Sequence, residues 1–165
     1  MKDRGLYSIN FLIILGLLGV LFMGFWVEFF LKQEPCSLCF LQRNCMMVIA
    51  CSLYFNLFFG LATPHYALAL LGSLVGMTTS LRHIALHVCK SASDPGFVFG
   101  PYHLYTWAFL TFFLVLVGIS FLLFFHEKKR EGQAPKFFIS IAKWLLYGVV
   151  ILGALSMLLK KGWAL

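Results

Sequence analysis

The chain has 165 residues, 61% of them hydrophobic and 12% charged, with a net charge of +7 and a mean hydropathy of +0.91. A water-soluble domain of this length is far more polar. The composition excludes one and points to an all-α integral membrane protein built as a single transmembrane domain. The positive charge asks for no nucleic acid, because most Lys and Arg stand at the ends of apolar runs, where they meet lipid headgroups.

In chain order, a short start with Lys2, Asp3 and Arg4 leads into a first apolar run over residues 9–30, interrupted by Glu28 near its end. The run outlasts a secretory h-region and ends in no small-x-small cleavage site, so it reads as an uncleaved first transmembrane helix. Gly16 and Gly19 are candidates for close helix contact there. Glu28 reads as an acid that reaches the interface. A first loop is expected over residues 31–43, with Pro35 ending the helix ahead of Cys36. The second run covers residues 44–62. Thr63-Pro64-His65 reads as a tight uncharged turn, and the third run covers residues 66–86, with Gly72 and Gly76 at small-xxx-small spacing. Arg82, His83 and His87 sit around its end.

A second loop over residues 87–102 holds Cys89, several turn residues and the stretch Phe97-Val98-Phe99-Gly100-Pro101, whose aromatics suit a segment lying along the membrane surface. The fourth run is residues 103–125, with Tyr105 and Trp107 as interface anchors. After the charged stretch containing Lys128-Lys129-Arg130, a fifth run covers residues 137–159 and ends at Lys160, Lys161 and Trp163. Lys143 within it reads as snorkelling beside Trp144. The expected architecture is a four-helix transmembrane bundle with a fifth transmembrane helix. The Lys128-Lys129-Arg130 cluster goes inside by the positive-inside rule, which puts the N-terminus inside and both cysteine-bearing loops outside. Lys160 and Lys161 then end outside, against the rule, a conflict that a non-spanning fifth segment would remove.

Chemistry concentrates in Glu34-Pro35-Cys36-Ser37-Leu38-Cys39-Phe40-Leu41-Gln42-Arg43. A Cys-x-x-Cys serves dithiol–disulfide exchange, zinc binding or c-type haem attachment. Haem needs His directly after the second Cys, and Phe40 stands there. A structural zinc site needs four ligands, which Cys36 and Cys39 could assemble with His83, His87 and Cys89. A purely structural disulfide would close a small ring and constrain the unfolded chain little. Exchange is the preferred reading. Arg43 follows Cys39 by four residues, so on a helix it shares that face, and a guanidinium beside a thiolate makes the sulfur a better leaving group.

Electrons reaching an extracytoplasmic dithiol need an acceptor, and the abundant two-electron acceptor within a bilayer is quinone. A quinone site would be apolar, near the outer surface, with a cation or imidazole to stabilise reduced oxygens and move protons. Arg43, His83 and His87 lie at suitable helix ends; each could equally be a headgroup or interface residue. The chain has five cysteines, an odd count that leaves one without an internal partner. Cys45 and Cys51, six residues apart, face different ways and read as buried thiols packed as small apolar residues. Cys89 either exchanges with Cys36, Cys39 or a partner protein, or is a spare thiol.

The run Pro35-Cys36-Ser37-Leu38-Cys39 followed by Gln42-Arg43 resembles the DsbB-type disulfide bond formation proteins, and Arg82-His83-Ile84 with Leu86 and the stretch from Phe99 to Trp107 are similar too. The resemblance covers the first four helices, about residues 9–125. It implies a bacterial inner-membrane thiol–disulfide oxidoreductase, with its cysteine loops on the periplasmic side. It further implies that Cys36 and Cys39 form the redox-active pair, that Arg43 is the quinone-site arginine, that ubiquinone or menaquinone is the cofactor, and that a DsbA-like thioredoxin-fold protein is the partner. One departure is plain. The second loop holds Cys89 and no other cysteine, so the two-disulfide relay of that family cannot run unchanged. The competing expectation is a non-catalytic membrane protein with a structural disulfide or a Cys/His metal site.

Overall fold

A computed structural model of the chain describes residues 2–31, 36–89, 98–99, 102–124 and 134–162. These residues form the helices α1 (Lys2–Leu31), α2 (Ser37–Phe58), α3 (Thr63–Cys89), α4 (Leu104–Phe124) and α5 (Lys136–Gly162). Each of the five contains a stretch long and apolar enough to cross a membrane. The protein is an all-α, multi-pass membrane bundle. The departure from helix is a two-residue antiparallel pairing of β1 (Val98–Phe99) with β2 (Tyr102–His103), just ahead of α4.

Several helix boundaries differ from the sequence expectation. The first loop does not extend to Arg43, because α2 begins at Ser37. Cys36 is its N-cap, in an extended backbone conformation, and its sulfur accepts the Cys39 N–H at 3.2 Å. A side-chain acceptor at this position satisfies one of the otherwise unpaired first-turn donors and lets the helix start there. Thr63-Pro64-His65 is likewise not the turn but the first turn of α3, where proline's missing N–H costs nothing. The turn itself lies just before, around Gly60 at φ 95°, a conformation that glycine adopts without strain. Cys89 is the last residue of α3 rather than a loop residue.

Polar contacts fix this end of the bundle. Asn56 Oδ1 accepts the Ala62 N–H at 3.1 Å and lies 3.0 Å from His65 Nδ1. Ser52 donates to the His65 carbonyl, and Asn10 of α1 donates to the Tyr66 hydroxyl at 2.8 Å. Each closes a buried polar group on another element, as an apolar medium demands.

Packing between helices uses the glycines of α3. A Cβ on Gly72 would lie 3.0 Å from Ile49 of α2, and one on Gly76 would lie 2.2 Å from the ring of Phe112 on α4. Small residues let such helices approach closely. Gly16 and Gly19 do not act this way: nothing lies within 4 Å of a Cβ built there. Leu12, Phe22, Leu71, Phe121 and Ile151 point outward, as side chains against lipid would.

α5 runs the length of the bundle. At its start the Ala134 N–H donates to the Leu57 carbonyl at 3.0 Å, and Phe138 stacks on Phe11 with ring centres 4.6 Å apart. Near its other end Gly153 packs on Phe25, and Ser156 reaches Glu28. The helix therefore lies parallel to α1 and antiparallel to α2, as a fifth crossing would. Lys143 is exposed, with its ammonium 5.7 Å from the Trp144 ring centre.

Candidate redox site

The first turn of α2 carries both sulfurs. Cys36 is exposed and Cys39 is half-buried. Their Sγ atoms lie 2.9 Å apart, close enough that a small rotation would bring them to the ~2.05 Å of a disulfide bond. Helical geometry causes this closeness. Residues three apart share a face, and the N-cap conformation turns the Cys36 sulfur back over the helix end.

His83 comes from α3 and faces the pair. Its Nε2 lies 3.7 Å from Cys36 Sγ and its Nδ1 lies 4.0 Å from Cys39 Sγ. It is buried at 6% exposure. Tyr105 of α4 covers the other side of the imidazole, with ring centres 5.0 Å apart, and His103 stacks on Tyr105 at 5.0 Å. Two thiols thus sit against a wall of one imidazole and two further rings. The three donor atoms of Cys36, Cys39 and His83 lie within 4.8 Å of one another. That set could grip a thiophilic cation, although a closed structural zinc site takes a fourth ligand.

Arg43 lies one turn beyond Cys39 on α2, and its described hydrogen bonds run to α1. Nη1 pairs with Glu28 Oε2, and Nη2 donates to the Gly24 carbonyl at 3.0 Å. The guanidinium carbon sits 4.8 Å from the centre of the Phe25 ring. Gly24 permits this approach, since a Cβ there would already touch Arg43 Nε at 3.4 Å. Glu28 is therefore not an interface acid but the counter-ion of Arg43, and its second oxygen accepts from Ser156 of α5. The side chains of His87 and Cys89 lie outside the described residues. Cys45 is buried and Cys51 half-buried; both are free thiols away from the pair.

Gln42 lies inward of Cys39 on α2. It is 5% exposed, and its Nε2 meets no hydrogen-bond partner among the described residues. A buried, unmatched amide donor is costly and suits a site that receives a carbonyl acceptor. In the sequence Gln42 belongs to the Cys-x-x-Cys motif and Tyr105 reads as an interface anchor; no local motif marks Ser156, whose partner Glu28 is 128 residues away. The available signal was polarity: Glu28 and Ser156 each interrupt an apolar run.

Residues 7–159 match the family described as disulfide bond formation protein DsbB. The chain belongs to the DsbB family. The match runs past the four-helix region that the sequence motif suggested and into α5. No curated protein and no solved structure gives a significant match. Membership makes the chain a membrane disulfide oxidoreductase that serves disulfide bond formation. The exposed Cys36 and half-buried Cys39 at the head of α2 are a site suited to that chemistry.

Proposed function

We propose that this DsbB-family protein reoxidises an extracytoplasmic thioredoxin-fold dithiol, of the DsbA type, and passes the electrons to membrane quinone. The observation that carries the reading is the paired sulfurs of Cys36 and Cys39, one exposed and one half-buried, against the imidazole of His83. Quinone, when bound, supplies the acceptor for two electrons and two protons. The buried, unmatched Gln42 amide and the guanidinium of Arg43, which lies over Phe25, are donors fitted to carbonyl oxygens.

The protein's own residues divide the work. Cys36, open to the outside, receives the partner thiolate; the Cys36–Cys39 bond breaks and a mixed disulfide forms. The second partner thiol resolves it and leaves Cys36 and Cys39 as a dithiol. Cys39, deeper on α2, then faces the acceptor side, and re-forming its bond to Cys36 releases two electrons and two protons. His83 lies close enough to both sulfurs to take a thiol proton as the Cys36–Cys39 bond re-forms. Arg43 holds positive charge where reduced oxygen would develop. Cys89 and His87 remain candidates for exchange and for quinone contact, respectively. The charge cluster Lys128-Lys129-Arg130 supports an inside N-terminus and a periplasmic sulfur pair in a bacterial inner membrane.

The test uses purified protein with dithiothreitol as the dithiol and decylubiquinone as the acceptor. Arg43→Ala is expected to raise the quinone KM about tenfold, the effect of losing a charge-assisted hydrogen bond, with the Cys36–Cys39 disulfide still able to form. An unchanged dependence on quinone concentration would remove Arg43 from the site. Labelling of Cys36 in whole cells by a membrane-impermeant maleimide tests the side of the membrane.

A second reading has one observation in its favour, the three donors of Cys36, Cys39 and His83 within 4.8 Å. Under it the pair holds zinc and does not turn over. Metal analysis of protein purified under reducing conditions separates the two. The redox reading expects no stoichiometric zinc and thiols that alkylate freely; one zinc per chain with thiols shielded from alkylation would favour the metal site.

A further inference from the structure

Through Glu28 the fifth helix is linked to the arginine one turn beyond Cys39. Its inward line runs Ala142, Leu146, Val149, Gly153 and then Ser156, a hydroxyl that is 5% exposed on an otherwise apolar seam. Five other helical hydroxyls, those of Ser73, Thr79, Ser80, Thr111 and Ser120, bond to carbonyls of their own helix one turn back, whereas Ser52 crosses to the His65 carbonyl of α3. Ser156 also donates across the bundle, to Glu28 Oε1. The other carboxylate oxygen, Oε2, accepts from Arg43 Nη1, and Nη2 of the same guanidinium is held by the Gly24 carbonyl at 3.0 Å. Arg43 and Glu28 are 14% and 12% exposed, so neither is freely solvated.

Charges in such surroundings persist when they are paired and fully hydrogen-bonded. A long, flexible arginine also needs its guanidinium fixed if it is to present its remaining N–H donors in one direction. Both needs are met here by one chain of contacts, Ser156 to Glu28 to Arg43, crossing from α5 through α1 to α2.

We propose that Ser156 and Glu28 are positioning residues for Arg43, and that the fifth helix is thereby part of the redox site rather than an appendage to it. Ser156 fixes the rotamer of Glu28, and Glu28 with the Gly24 carbonyl fixes the guanidinium against Phe25. The inference rests on the reading of Arg43 as the quinone-site arginine.

The experiment compares Ser156→Thr with Ser156→Val, side chains of nearly equal volume that differ in the hydroxyl, together with Glu28→Gln and Arg43→Ala. The full chain is purified, and turnover is measured with dithiothreitol and varied decylubiquinone. Ser156→Val and Glu28→Gln are expected to raise the quinone KM about tenfold, on the scale of one hydrogen bond to a charged group. Saturating turnover should fall by less, and Ser156→Thr should retain the wild-type KM. A merely structural role would move the thermal midpoints of Thr and Val variants together and leave the KM of both unchanged. Equal KM values for Thr and Val, with Arg43→Ala still raising KM, would overturn the positioning role and leave the quinone site standing. An unchanged KM in Arg43→Ala would overturn both.

Discussion

Serine at either Cys36 or Cys39 is expected to reduce quinone-coupled oxidation of a dithiol to the uncatalysed rate. Each half of the proposed cycle makes or breaks the bond between these two sulfurs, and a hydroxyl can do neither. The two variants should differ in what they trap. Cys36 is exposed and caps α2, whereas Cys39 is half-buried one turn inward. Cys39→Ser therefore leaves an accessible Cys36 thiolate with no neighbour to resolve a mixed disulfide; by attacking the disulfide form of a thioredoxin-fold partner and displacing one partner thiolate it should become trapped in one. Cys36→Ser leaves only the more sheltered sulfur and should trap little. Non-reducing gels of each variant, run beside turnover assays, read both effects. Wild-type turnover in either variant would end the enzyme reading, and preferential trapping through Cys39 would reverse the order of the two sulfurs.

Gly76→Leu is expected to lower stability more than any other single exchange on α3. Even a methyl group at this position would lie 2.2 Å from the Phe112 ring, and Phe112 has no exposed surface into which to retreat. Overpacking of this kind costs about 1–3 kcal/mol, with the larger side chain at the upper end. Activity should fall with it, because Gly76 lies two turns before His83 on the same helix, and pushing α3 away from α4 moves the imidazole off the sulfurs and away from Tyr105. Pairing Gly76→Leu with Phe112→Ala should restore part of both, a coupling that a double-mutant cycle in detergent unfolding measures. Gly118→Ala is the control: nothing lies within 4 Å of its added methyl, and alanine is the better helix former. A Gly76→Leu protein as stable as wild type would show that α3 and α4 do not meet as described.

Hydropathy alone determined that the chain crosses a membrane and roughly where, because bilayer thickness dictates the length of every crossing. The Cys-x-x-Cys spacing marked where the redox chemistry is proposed, and the small-xxx-small pair Gly72 and Gly76 marked a real helix contact. Sequence could not say which face of each helix turns inward. In lipid the buried and outward faces are both apolar, so the periodicity that orients a soluble helix is weak. Gly16 and Gly19 illustrate the consequence, since they too are glycines of an apolar run, yet nothing lies within 4 Å of a Cβ built on either.

Tertiary structure decided the partners. Glu28 looked like an acid at a helix end because its counter-ion is 15 residues away and its hydroxyl donor 128 away. His83 meets Cys36 across 47 residues of chain. The start of α2 at Ser37, and not beyond Arg43, depended on a cysteine sulfur acting as a helix cap. The partners of Glu28 and His83 stand on other helices, while the Cys36 cap stays within the first turn of its own; the need to match polar groups in an apolar medium is what joined the first two.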